Sequence, residues 1–366
     1  MATLFGQQFA RSELLSLVGD ISQLAGVRAG ELADGFERGV RVADVRTGSG
    51  FDFTVLVDRG MDIGPASYGG AALGWRSPTT AKGAAYYEPA GLGWLRGFHG
   101  GLMTSCGPSF FGAPSEDEGQ PLGLHGRASY TPATNFSYGG AWVGDEYELW
   151  VSGQLREASV FGENLVVERK ITAQLGGNRL AIEDTVSNEG FQTTPVMMLY
   201  HCNLGFPVVS PQSELIAASA EVTPRDQVAM PGLSRHNVFQ APTAGYAEQV
   251  FYHRMHSGSD GYTQAAVVNR TYAGGQGIGV YVRYRTAELP HLIQWKMMGQ
   301  GAYVCGVEPA SNFVEGRGKE RREGRLALLE PGQARSYRIE IGVLSTMTEI
   351  DAFAAAVHGL GQGAAK

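Results

Sequence analysis

Two alternating segments around a tight turn constrain this chain more than any other feature. Residues 165–174 and 179–186 largely alternate apolar and polar side chains, and Gly176-Gly177-Asn178 stands between them. In an extended chain successive side chains point to opposite faces, so each segment buries one face, and the Gly/Asn turn predicts an antiparallel hairpin. Similar strand-like patterns recur at residues 40–45, 51–57, 278–284 and 334–343. An isolated hairpin is marginal in water, so these strands must share a core. Few stretches suit the long crossover helix of a parallel sheet. The expected fold is therefore all-β, a large antiparallel β-sandwich with short peripheral helices.

The helices are expected at the ends. Residues 9–24 carry Ser12 as a possible cap, followed by Leu14, Leu15, Leu17 and Val18, with Ile21 and Leu24 a turn on. Residues 348–357 include Ala354-Ala355-Ala356, and Gly359 would stop that helix. The expected organisation is a helical extension over 1–34, a sandwich over 35–347, and a short helix and tail over 348–366. Residues 64–123 are the least regular part, rich in Gly, Pro and aromatics that include Tyr86, Tyr87, Trp94, Phe98, Phe110 and Phe111. Such a segment on a β scaffold forms either a packed surface loop or the wall of a binding site.

Charge narrows the partners. With 29 basic against 36 acidic residues the net charge is −7, and no basic block suited to a phosphate backbone is present. The densest basic stretch, 317–325, is interspersed with Glu320 and Glu323 and reads as a solvated loop. Cys106, Cys202 and Cys305 are too few, and odd in number, for a disulfide framework. Residues 1–20 lack the pattern of a secretion signal, and no apolar run approaches the ~18 residues of a membrane span. A cytoplasmic location is expected, with no nucleic-acid or membrane partner.

Four segments set polar residues in apolar, Gly-rich or Pro-bounded surroundings: 57–62, 124–127, 199–203 and 306–309. His201 ends the apolar run Val196-Met197-Met198-Leu199-Tyr200, which suits either a satisfied core histidine or a general acid or base near neutral pH. Glu308 follows Val304-Cys305-Gly306-Val307, and a carboxylate there is costly unless it is paired or functional. His125 and Arg127 flank Gly126; in an extended segment both would point the same way as a donor array for sugar hydroxyls or an anionic substituent, and otherwise Gly123 and Gly126 make this a surface turn. Asp58, Arg59 and Asp62 form either a sugar-binding corner or ion pairs, the latter preferred for the two Asp. His253 and His256 lie in a polar stretch and are expected at the surface. His99, His125, His201 and Glu308 offer a ligand set for a divalent metal, although none has a short metal-ligand spacing. The chain has no Gly-x-Ser-x-Gly elbow, no Cys-x-x-Cys and no phosphate-binding loop.

Taken in order, these segments resemble the aldose 1-epimerase (galactose mutarotase-like) superfamily, and most closely its aldose 1-epimerase-like branch. The resemblance rests on Asp58-Arg59-Gly60-Met61-Asp62-Ile63, Leu124-His125-Gly126-Arg127 with Thr131-Pro132, residues 180–188, Tyr200-His201-Cys202-Asn203, Val307-Glu308-Pro309 with Asn312-Phe313, and Leu329-Glu330-Pro331-Gly332. It covers roughly residues 35–345. It implies the large sandwich, no cofactor, and a small-molecule sugar as partner. It assigns acid–base roles to His201 and Glu308, an assisting role at the sugar to His125, and a hydroxyl contact to Arg59 or Arg127; His99, Asn203 and Lys296 complete the expected sugar contacts. No residue matches the Asp that grips hydroxyls in galactose mutarotases; Asp260 is the nearest. The implied activity is anomer interconversion by acid–base ring opening. The alternatives are an epimerase, isomerase or lyase acting on a keto-sugar, with or without a metal, and a non-catalytic sugar-binding module.

Overall fold

A computed structural model of the chain describes residues 1–363; the last residues of the expected C-terminal tail, 364–366, lie outside the described residues. Two large sheets dominate. One runs in the order Ser219–Pro224, Gln249–Met255, His291–Met298, Tyr303–Ala310, Leu199–Leu204, Met103–Cys106, Asp62–Tyr68, Phe51–Leu56, Arg41–Arg46, Gly26–Glu31, with Ala71–Ala72 paired to Asp62–Tyr68. The other runs Thr134–Val143, Glu146–Ala158, Asn164–Gln174, Arg179–Asn188, Ala334–Leu344, Ile278–Arg285, Tyr262–Asn269, Ser213–Ala217. The pairings within both sheets are antiparallel. The expected hairpin stands as Asn164–Gln174 against Arg179–Asn188, in a register of Ile171 opposite Ile182. Its strands alternate in burial, as a sheet with one solvated face requires.

The apolar faces of the two sheets meet in one main core that includes Val167, Ile182, Tyr200, Val307, Val282 and Ile341. The ten-strand path has a second covered face. Strand Leu199–Leu204 is buried at every position. Its Tyr200, Cys202 and Leu204 join the main core. Leu199 instead packs in a second cluster with Trp94, Phe98, Phe110, Val250 and Ile293. The irregular stretch after residue 64 therefore lies over the outside of this sheet, and the space left between them is the candidate site.

The ends differ from expectation. Residues 1–24 hold a small hairpin, Ala2–Leu4 with Gln7–Phe9, then a seven-residue helix Arg11–Leu17 and a short 3-10 turn Ile21–Gln23. The leucine spacing supports only that one helix: Val18 is extended, and Asp20 caps a separate turn through Ser22. Strand Gly26–Glu31 already pairs with Arg41–Arg46, so the sheet takes in residues before 35. At the other end the helix spans Met347–Gly363 and runs through Gly359, which is not in the left-handed region and so does not stop it. Residues 317–325 are no solvated loop. Arg317–Arg322 is a short helix in which Arg317 is buried and paired with Asp117 at 2.7 Å, and Glu320 is buried and bridged to Arg325 at 2.6 Å.

Candidate active site

Strand register builds the centre of the site. Strands Leu199–Leu204 and Tyr303–Ala310 pair with Leu199 opposite Ala310 and Cys202 opposite Val307, which sets His201 across from Glu308. Ile293 lies opposite Glu308 on the next strand, and Thr104 lies opposite His201 on the other side. Cross-strand neighbours on one face are in contact, and His201 Nε2 lies 3.3 Å from Glu308 Oε1. Gly306 leaves room for this carboxyl, since a Cβ there would run into Glu308 Oε1.

Above the pair opens a cleft of about 740 Å³. Trp94, Phe98 and Trp295 supply its aromatic wall, with Phe98 and Trp295 at 5.3 and 5.5 Å from the His201 ring. His125 stands 5.8 Å from His201, ring to ring, and 4.8 Å from Trp94. Arg225, Asp226, Glu248, Glu315 and Lys319 form a charged rim.

Burial governs the electrostatics of the floor. It pushes His201 down to about 4 and, with His201 as neighbour, His125 down to about 3. It holds the Glu308 carboxyl well above the usual carboxylate range. Burial disfavours the charged forms of both groups, so the pair rests as a neutral imidazole beside a protonated carboxyl, with one proton between them to move. The floor is also short of partners. Trp94 Nε1, His125 Nδ1, His201 Nδ1 and Glu308 Oε1 are buried without hydrogen bonds among the described residues, and all four belong to residues of this one cleft. Buried polar atoms are nearly always satisfied, so these four leave hydrogen-bonding capacity at the cleft that a ligand could take up.

The remaining expected contacts are elsewhere. Arg59 is fully buried and spends its guanidinium on the carbonyls of Ser129, Lys82 and Gly97 at 2.6, 2.7 and 2.9 Å. It is a structural clamp, not a sugar contact. His99 pairs with Asp62 at 3.2 Å and does not line the cleft. Asp62 also accepts from Ser129 Oγ and the Ser105 amide, so of the two Asp only Asp58 makes the expected arginine pair, with Arg41. Arg127 does not share a face with His125. His125 and Gly126 both take positive φ, 58° and 78°, and Arg127 turns helical, so this segment is a tight turn that sends Arg127 out over Tyr87. Asn203 donates to the His201 carbonyl at 2.9 Å, and Lys296 donates to the carbonyls of Arg235 and Val238. Both are buried and neither lines the cleft.

His253 is buried rather than exposed, held between Ser219 Oγ and Gln294 Oε1. Asp260 pairs with Arg283 at an exposed position. The metal set does not converge, because His99 belongs to the Asp62 network. Among the described residues no group of three or more His, Cys, Asp or Glu is arranged to hold a metal ion. Of the expected site residues the structure brings together three: His125, His201 and Glu308.

Sequence reasoning missed Trp295, Glu248, Arg225, Asp226, Glu315 and Lys319. Trp295 had a signal, since it sits two positions from Ile293 on an alternating strand and so shares its face. The rim charges had none, because they come from three stretches of chain, around 225, 248 and 315–319, that only the fold gathers.

Solved structures agree with this architecture. A protein of Klebsiella pneumoniae with a provisional aldose 1-epimerase assignment is 25% identical, superposes with a TM-score of 0.87, and is covered over 93% of this chain and 90% of its own. A galactose mutarotase-like protein of Clostridium acetobutylicum is 12% identical, with a TM-score of 0.60 and coverage of 87% and 98%. The galactose 1-epimerase of Lactobacillus acidophilus is 11% identical, with a TM-score of 0.54 and coverage of 87% and 99%. The last two share the fold alone. No curated protein matches the chain in sequence. The fold is thus the galactose mutarotase-like sandwich, and the model described as a domain of unknown function, DUF4432, matches residues 37–343, so the chain belongs to the DUF4432 family.

Proposed function

We propose that this protein is an aldose 1-epimerase-type isomerase that interconverts sugar anomers, with His201 and Glu308 as its acid–base pair. One observation carries the reading: the His201 imidazole and the Glu308 carboxyl, both buried, in contact at 3.3 Å on the floor of an aromatic-walled cleft where Trp94 Nε1, His125 Nδ1, His201 Nδ1 and Glu308 Oε1 lack partners.

The pair suits the reaction. Ring opening takes the proton from the C1 hydroxyl as the C1=O bond forms, breaks the bond from C1 to the ring oxygen, and puts a proton on that oxygen. The two oxygens share one carbon, so acid and base must act side by side, as cross-strand neighbours do. His201 Nε2 accepts from the hydroxyl while the Glu308 carboxyl donates to the ring oxygen. Rotation about C1–C2 presents the other face of the aldehyde, and closure by the reverse transfers restores both groups. No electrons leave the substrate. Each positioned group contributes typically ~10²–10⁴-fold. Trp94, Phe98 and Trp295 offer faces on which the C–H side of a pyranose stacks.

The test is the equilibration of freshly dissolved pure anomers, across a panel of aldoses, followed by polarimetry and saturation-transfer NMR. Faster equilibration with enzyme is the expected result, and a panel with no acceleration at all would refute the reading. Deuterium entering from solvent at a sugar carbon would point instead to a keto-sugar epimerase, because anomer exchange moves only O–H protons.

A further inference from the structure

The lining of the cleft bears on which sugar it takes, and the inference rests on the reading above in that the ligand is a sugar. We propose that the site binds an uncharged aldose carrying an apolar group remote from C1, and that Leu92 and Leu95 form the subsite for that group.

The first support is that no cation of the cleft is free. Arg225 is held by Asp226 at 2.8 Å and by Glu248 at 3.3 Å, and Lys319 by Glu315 at 2.7 Å. Against these two cations stand three rim carboxylates, Asp226, Glu248 and Glu315. A phosphate or carboxylate on the substrate needs charged donors facing it; here it would meet committed cations and an excess of negative charge. The two histidines of the floor are kept neutral by burial and add no positive charge. Of the six residues expected to contact the sugar, five, Arg59, His99, Arg127, Asn203 and Lys296, do not line the cleft.

The second support is apolar surface without a cover. Trp295 commits its Nε1 to Glu248 at 2.8 Å, so its ring offers a face rather than a donor. Leu92 and Leu95 line the same cleft yet are 61% and 47% exposed, one on each side of the buried Trp94. Exposed leucines gathered at the rim of a ligand cleft mark surface that a ligand covers. At about 740 Å³ the cleft stands toward the upper end of the ~300–1,000 Å³ typical of pockets for drug-sized ligands. A single pyranose leaves such a space partly empty.

Tryptophan fluorescence titration of the wild-type protein reads binding without turnover. The probes are glucose and galactose, each with its 6-O-benzoyl ester, its 6-phosphate and its uronate. In at least one series the benzoyl ester is expected to bind about tenfold tighter than the parent sugar, as burial of an aromatic group allows, with the phosphate and the uronate weaker than the parent. The double variant Leu92→Ser/Leu95→Ser, at exposed positions that folding does not need, should lose that tenfold preference. A phosphate or uronate that binds tighter than its parent, an ester with no advantage in either series, or no binding at all overturns the ligand class. A preference that survives the double variant overturns the subsite. Binding in the expected order without anomer exchange sinks the aldose 1-epimerase reading and leaves this inference standing; exchange with a preference for phosphate does the reverse.

Discussion

At the scale of single residues the pair of His201 and Glu308 concentrates the consequences. His201→Ala and Glu308→Gln should each lower turnover by roughly two to four orders of magnitude, the range for one lost acid or base. Loss of both should cost less than the product of the single losses, because they act as a unit. Turnover assays, with circular dichroism to confirm folding, measure this; a folded His201→Ala protein with full turnover would exclude the pair. Arg127→Ala is the contrast. Its side chain leaves the cleft and lies over Tyr87, so turnover and KM should both stay within about twofold of wild type. The pH profile follows from the proton count of the pair. Activity needs one acceptor and one donor. It should fall on the acid side as His201 takes a second proton near its lowered value of about 4. It should fall on the alkaline side only above the usual carboxylate range, where Glu308 at last ionises. A profile that breaks near 6.5, the value of an unperturbed histidine, would contradict a buried neutral His201.

At the scale of elements the turn 124–127 shows how backbone geometry decides what a motif does. Leu-His-Gly-Arg alternates as a strand would, yet the chain passes through Gly126 at φ 78° with the Phe110 carbonyl against it, so close that a Cβ would collide. His125 is sent to the cleft and Arg127 out of it. Gly126→Ala should therefore destabilise the protein by about 2 kcal/mol or more, combining a positive φ with a steric clash, and should weaken ligand binding through a displaced His125. Urea unfolding and a titration of the same variant test the two effects; an Ala variant of wild-type stability would show that the turn can relax. Strand pairing is the other element-level device. His201 and Glu308 are 107 positions apart, and only the register of their strands makes them neighbours.

For the whole molecule, the link between the sheets and the burial of histidines carry the predictions. Arg169 on one sheet forks onto Asp184 at 2.6 and 2.8 Å and donates to Ser105 Oγ and the Gly60 carbonyl, while Tyr200 on the other donates to Asp184 at 2.7 Å. Arg169→Ala leaves a buried carboxylate unpaired and should cost about 3–5 kcal/mol in denaturant unfolding; a cost under about 1 kcal/mol would mean that water or rearrangement replaces the clamp. Acid stability follows from linkage. His125, His201, His253 and His291 are pushed down to about 3, 4, 3 and 4. A depressed histidine favours the folded state above its unfolded value near 6.5 and loses that contribution as pH falls toward its folded value. Glu157, raised to about 7, and Glu308 act oppositely, since in the folded state they keep protons that the unfolded chain releases above about pH 4.3. Between about pH 5 and 6 the unfolded chain thus binds more protons than the folded one, the depressed histidines outnumbering the raised carboxyls, and stability should drop as pH falls through that window. Chemical denaturation at a series of pH values reads the slope; a flat response would show that these histidines are not buried neutral.

What the amino-acid sequence determines by itself is whatever depends on near neighbours along the chain. The alternation at 165–174 and 179–186 and the Gly/Asn turn between them need only a repeat of two and a conformation that Gly permits, and the hairpin is there as read. The apolar runs ahead of His201 and Glu308 likewise mark strands buried on both faces. The same local logic fails where a polar residue has two equally cheap fates. Arg59, His99 and Lys296 are all expected at a site, yet each has its donors or acceptors taken up by groups distant in sequence. The rim charges share the opposite history, unremarkable in sequence and gathered at one cleft by segments distant along the chain. A buried polar group goes wherever a partner compensates its lost hydration, and that partner is supplied by tertiary contact, so strands are legible from the chain while the choice between scaffold and site is made by the fold.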